Sequence, residues 1–237
     1  MFSVSDVIKK IVAIEWKMFI AVNEGGERAS CQEDPVTFDS MRTAQFSAWS
    51  RDALTSYLCD LDKALNDGRN LLEEKYIHMS KTTEPRTYEA LLSRMVLPDE
   101  TTTKLAHEIS DIMLEQPRIL FNDYPYVSGQ GRPLHSALDY TGTSVETYQL
   151  GELLTYSKET LTMLKEHITS LSKEGKSFAG IILENTVKHY GYESLDSAET
   201  ATREYSRRQG EQMIYRNCTS CNSVDCCDSG DCFDYKA

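Results

Sequence analysis

Basic residues are in short supply. The chain carries 25 lysines and arginines against 37 aspartates and glutamates, a formal net charge of −12 over 237 residues. A nucleic-acid surface needs a basic patch, so no nucleic-acid partner is expected. No apolar run is long enough to span a bilayer, so no membrane partner is expected either. The opening MFSVSDVIKKIVAIEWKMFIAVN starts like a secretory leader, but Glu15 and Lys17 interrupt it and no small-residue cleavage site follows cleanly. The expected location is cytoplasmic. Strand-type alternation and internal repeats are missing. So are Gly-x-Ser-x-Gly, the dinucleotide glycine fingerprint, His-Glu-x-x-His and the Gly-Lys-Ser/Thr ending of a P-loop. No motif therefore names a reaction.

What the chain does have is helical periodicity. Ser3 begins a capping box, and Val7, Ile8, Ile11, Val12, Met18 and Phe19 follow on one face. Asp34-Pro35 reads as an N-cap with proline at the first helical position, opening a helix that carries Phe38, Met41, Phe46 and Trp49. A long stretch from about Arg51 to Met79 continues the pattern. Pro85 opens a short helix, and Asp99 caps another that ends near Pro117 or soon after. A helix from Thr143 or Ser144 carries leucines as far as Leu171 and closes at Gly175. SFAGIILENTVKHYG makes one more, and a polar helix lies near Ser197–Arg216. The pattern predicts an all-α fold: a single multi-helix bundle of roughly six to eight helices over residues 1–216. A long irregular loop near residues 122–143 is expected to cover or border a pocket, and residues 217–237 form a cysteine-rich tail.

Several polar residues interrupt the apolar stripes. Glu15 sits among Ile11, Val12, Met18 and Phe19. Gln45 shares a stripe with Phe38, Met41 and Trp49, and Lys75 shares one with Leu71, Leu72 and Met79. Arg42 precedes Gln45 by one turn, Arg69 follows Gly68, and Glu74 adjoins Lys75. A buried carboxylate is costly unless paired, hydrogen-bonded or metal-bound. Two readings follow: a structural network that fixes packing, or a site built inside a helical bundle.

IEWKMF, VNEGGERASCQED, FDSMRTAQFSAW, SYLCDL, GRNLLEEKY and TSVETYQLGELLTYSKETL together resemble the bacterial family labelled domain of unknown function 4125, over about Ile11 to Leu164. The resemblance implies no activity. It does mark Glu15, Arg28, Cys31, Gln32, Arg42, Gln45, Arg69, Glu74, Lys75, Tyr76, Glu146 and Glu152 as motif positions.

These residues could support three chemistries. A bundle di-metal site would draw on Glu15, Glu74, Glu146, Glu152 and His78, although Glu-x-x-His pairs are missing. An anion pocket would use Arg28, Arg42, Arg69 and Arg132, whose guanidinium forks suit carboxylate or phosphate. Cys31 would be a nucleophile activated by Arg28, or a buried inert thiol. The tail holds five of the seven cysteines, Cys218, Cys221, Cys226, Cys227 and Cys232. Four thiolates suffice for zinc or an iron–sulfur cluster.

The expected protein is a small-molecule enzyme acting on a small anionic or amino-acid-like substrate. Glu15, Lys75 and Tyr76 would handle protons, and Arg28, Arg42, Gln45 and Arg69 would hold the substrate. The tail would bind the metal, with a metal or electron donor protein as a further partner. The alternative is a non-catalytic metal-handling or partner-binding protein with the tail as its working part.

Overall fold

The structure, a computed structural model, describes residues 3–22 and 29–217, with side chains as far as residue 210 apart from Thr141. Among the described residues the chain forms eleven α-helices and no strand. They are α1 (Val4–Ala21), α2 (Pro35–Phe46), α3 (Arg51–Asn66), α4 (Leu71–Thr83), α5 (Pro85–Leu91), α6 (Glu100–Asp123), α7 (Pro125–Ser128), α8 (Val145–Leu153), α9 (Lys158–Lys173), α10 (Phe178–His189) and α11 (Leu195–Asn217). The all-α reading stands. The count exceeds six to eight because two apolar stripes continue across breaks and α7 is a single short turn.

The first break separates α3 from α4. Gly68 adopts φ 69°, and the Arg69 amide donates to the Ala64 carbonyl at 2.8 Å, closing α3 with a left-handed turn. Asn70 then caps α4, its Oδ1 accepting from Leu72 and Glu73 amides at 3.0 and 3.1 Å. Its Nδ2 also donates to the Met18 carbonyl at 2.8 Å, so the start of α4 is tied to the end of α1. The second break separates α8 from α9. Ser157 caps α9, while Asp60 of α3 accepts from the Ser157 amide at 3.0 Å and the Thr160 hydroxyl at 2.6 Å. A local cap and a tertiary carboxylate thus divide a stripe that reads as one helix.

The irregular stretch is shorter than its composition suggested. α6 continues through Pro117 to Asp123, α7 follows, and a 3-10 turn occupies Ser136–Thr141. Glu199 of α11 accepts from the Tyr126 and Val127 amides at 3.0 and 2.8 Å, satisfying the free end of α7. Asp139 accepts from the Ser144 amide and the Thr147 hydroxyl at 2.8 and 2.7 Å. The segment is therefore pinned at both ends.

One core runs through α1, α2, α3, α4, α6, α8, α9 and α10. Ile11, Ala53, Leu54, Leu61, Ala106, Ile109 and Leu161 are fully inaccessible within it. Gly151 sets the spacing of α8 on α4. A Cβ there would lie 2.7 Å from Met79 Cγ and 3.0 Å from the Lys75 carbonyl oxygen. Glycine thus lets the two backbones approach, and Glu152, the next residue, comes within reach of Lys75.

Candidate functional site

Four charged side chains meet inside this core. Glu15 from α1 is fully buried, and Arg42 from α2, Lys75 from α4 and Glu152 from α8 are buried with it. Two carboxylates and two cations leave the group neutral. Arg42 Nε donates to Glu15 Oε2 at 2.7 Å, and its Nη2 to Glu15 Oε1 at 2.5 Å. Nη2 also donates to Glu152 Oε1 at 3.0 Å, and Nη1 to Glu152 Oε2 at 3.1 Å and to Gln45 Oε1 at 2.7 Å. A guanidinium has five N–H donors, and all five are engaged here.

Glu152 receives more. Lys75 Nζ donates to Oε2 at 2.6 Å, Gln45 Nε2 to Oε1 at 2.9 Å, and Tyr156 Oη to Oε1 at 2.5 Å. Tyr57 Oη donates to Glu15 Oε1 at 2.7 Å. Burial pushes the Glu152 carboxyl up, but Arg42 and Lys75 more than reverse this and hold it well below the usual carboxylate range. Burial lowers the Arg42 value, and Glu15 and Glu152 outweigh it, so the guanidinium stays charged. Burial, then Glu15, raises the Tyr57 phenol; burial, then Glu152, raises that of Tyr156. Both phenols are kept as donors.

Of the residues expected at a site, Glu15, Arg42, Gln45 and Lys75 are brought together, with Glu152 as the hub. The expected anion-holding role of Arg42 meets a filled donor set: its charge is spent on Glu15 and Glu152. Arg69 lies outside the network and donates from Nε and Nη2 to Glu74 at 2.8 and 2.6 Å. Tyr76 is half-buried and stacks on Phe19 with ring centroids 6.2 Å apart. Burial, then Tyr148 and Cys31, raises its phenol. Gln32 staples α1 to the turn after it: Nε2 donates to the Phe19 and Val22 carbonyls at 2.8 and 3.0 Å, and Oε1 accepts from the Ala29 amide at 3.1 Å. Cys31 is exposed, which rules out the buried inert thiol. Arg28 and the tail cysteines Cys218, Cys221, Cys226, Cys227 and Cys232 lie outside the described residues.

The carboxylates expected at a bundle di-metal site are dispersed instead: Glu74 pairs with Arg69, Glu146 accepts from the Ser136 amide at 2.8 Å, and Glu15 and Glu152 share Arg42. Among the described residues no group of three or more His, Cys, Asp or Glu side chains is placed to hold a metal ion. His78 is buried, and its Nε2 has no hydrogen-bond partner. Burial, then Lys81, pushes its ring down to about 4, so it is neutral at pH 7.

A cleft of about 1090 Å³ lies next to this network, bordered by α6, α8, α10 and residues 127–134. The pocket-bordering role expected of the irregular segment is met by its middle part. Met41, the neighbour of Arg42, lines the cleft, as do Arg132 and Gln149. Tyr148 joins the two regions. Lys75 Nζ lies 3.5 Å from its ring centroid, and the Arg132 guanidinium carbon lies 4.8 Å from the same centroid. Arg132 Nη1 donates to the Thr143 carbonyl at 3.1 Å. No described carboxylate pairs with Arg132.

Fold and site together define an all-helical bundle with a self-neutralised charged core beside a mostly apolar cleft. By sequence, residues 5–200 match the family described as Protein of unknown function (DUF4125), and the chain belongs to that family. No curated protein and no solved structure matches it. Among the described residues no helix is long and apolar enough to cross a membrane.

Proposed function

We propose that the chain is a small-molecule protein that binds an organic anion in the cleft, with Arg132 as the anion's partner, and that any reaction occurs at the Arg132–Tyr148 side. The observation that carries this reading is Arg132 itself, a cleft-lining guanidinium with no described carboxylate partner in a protein of net charge −12. The Glu15–Arg42–Glu152–Lys75 group serves as the frame that holds α2, α4 and α8, and so fixes Tyr148 beneath Arg132. In this reading Glu15 and Arg42 support the site rather than touch the ligand. Metal binding by the five tail cysteines is a separate proposal, resting on their spacing alone.

A thermal-shift screen of organic carboxylates, sulfonates and phosphates against the intact protein tests the reading. A ligand that binds only the folded chain raises its stability by about 2.7 kcal/mol at one hundred times Kd. Anions that raise Tm in wild type are expected to lose that effect in Arg132→Gln. A full set of anions that leaves Tm unmoved, or moves both proteins equally, contradicts it.

A further inference from the structure

We infer that the cleft takes an amphipathic organic acid, a carboxylate on an extended aliphatic body, rather than a small polar acid. This rests on the proposed function and adds the chemical class of the ligand.

Three observations carry it. The first is size. Ligand sites usually enclose about 300–1,000 Å³, and this cleft of about 1090 Å³ lies above that range. A small acid held at Arg132 would leave most of it to water. The second is the wall. Leu120, Val127, Leu134, Ile182, Leu183 and Val187 line it, drawn from α6, the pinned segment and α10. Such a surface gains from displacing water with hydrocarbon. The third is charge. The charged residues on the wall are Arg118 and Arg132, and no described carboxylate lines it. Arg118 is already committed to Glu115, through Nε at 3.0 Å and Nη2 at 2.9 Å. Arg132 donates from Nη1 to one carbonyl and keeps further N–H groups for a ligand carboxylate. An apolar wall with one uncommitted cation selects a long acid with a single anionic head. It disfavours a cationic amphiphile by repulsion and a short acid by lost contact area.

The test uses the full chain and four probes: acetate, octanoate, dodecanoate and dodecyltrimethylammonium, titrated calorimetrically below their aggregation limits. Affinity should rise by up to about fourfold per methylene from acetate toward octanoate, following the transfer free energy of a buried CH₂. Dodecanoate should bind at least tenfold more tightly than dodecyltrimethylammonium. Arg132→Gln should weaken dodecanoate at least tenfold while leaving Tm without ligand unchanged. Thr186→Phe, which adds bulk on the cleft wall, should weaken dodecanoate more than octanoate.

If acetate binds as tightly as dodecanoate and Arg132→Gln removes both, the anion reading survives and the amphipathic one fails. If no carboxylate binds in an Arg132-dependent way, the amphipathic-acid inference fails, and the anion reading fails with it only if the sulfonates and phosphates of the thermal-shift screen are also without effect. Equal binding of the cationic probe overturns both, since the cleft would then be a non-selective apolar surface. A sedimentation dimer that takes up no probe would mean that a second copy fills the cleft, and also overturns the inference.

Discussion

The charged core and the cleft share helices α2 and α8, yet their polar groups are used in opposite ways. In the core each N–H of Arg42 has an acceptor, and Glu15 and Glu152 collect eight hydrogen bonds from Arg42, Lys75, Gln45, Tyr57 and Tyr156. In the cleft Arg132 has one carbonyl partner and an aromatic face. A saturated buried network leaves nothing for a ligand and much for the fold. An uncommitted cation on an apolar wall contributes little to the fold and offers a partner to a ligand. Polarity in a buried stripe therefore does not by itself mark a site; what distinguishes the two regions is unused hydrogen-bonding capacity.

The comparison breaks most visibly at Glu152. Glu152→Ala leaves Arg42 and Lys75 buried without their shared carboxylate, and removing one partner from such a network costs about 3–5 kcal/mol. Urea unfolding should show that loss, and a change below about 1 kcal/mol would mean that the network is not what holds α2, α4 and α8.

Acid separates the contributions of Glu152 and His78. Glu152 has a depressed folded value, so its stabilisation is fully present above about 4.5, its unfolded value, and is lost as pH falls further. His78 is held neutral, with a folded value of about 4 against 6.5 unfolded. Below 6.5 the unfolded chain takes up a proton that the folded ring refuses. Stability should therefore fall between pH 6.5 and 4, by up to about 3 kcal/mol. His78→Phe should remove the limb above pH 4.5 and keep the Glu152 limb below it. Urea midpoints measured across this range would reveal either limb.

Gly151→Ala places a methyl against the Lys75 carbonyl and Met79. Overpacking of this kind costs about 1–3 kcal/mol, and it should also loosen the Lys75–Glu152 contact. Arg132→Gln should have the smallest effect on stability, within about 0.5 kcal/mol by urea unfolding, as is usual for an exposed side chain. For the tail, replacing Cys218 and Cys221 with serine should lower bound zinc or iron in anaerobically purified protein while leaving the helix signal unchanged. Equal metal content in both proteins would contradict the tail proposal.

Much of the fold was legible in the sequence because capping is local. Ser3, Asp34, Asp99 and Gly175 each announce a helix boundary within a few residues, and each stands where its pattern puts it. The breaks at Gly68 and Ser157 were hidden because apolar spacing continues through both. At Ser157 the second tie is Asp60, 97 residues away in the chain. Glu15, Arg42, Gln45 and Lys75 were legible as intruders in apolar stripes, and Glu152 as a family motif position. Their convergence was not, since it depends on the approach of α8 to α4 at Gly151. Tyr57 reads as one more apolar stripe residue, and its hydroxyl bond to Glu15 leaves no mark in the sequence. Tyr156, one turn after Glu152, was the missed signal. Arg132 was visible as a possible anion partner, but its lack of a described carboxylate is a fact of the folded chain.

The most direct measurement is dodecanoate affinity for wild type, Glu15→Gln and Arg132→Gln, taken at a temperature where all three are folded. If the core is frame and the cleft is site, Glu15→Gln lowers the urea midpoint yet binds within about threefold of wild type. Arg132→Gln should then keep the midpoint and lose at least tenfold in affinity. The reverse pattern, binding lost with Glu15 and kept without Arg132, would place the ligand in the charged core and contradict the account.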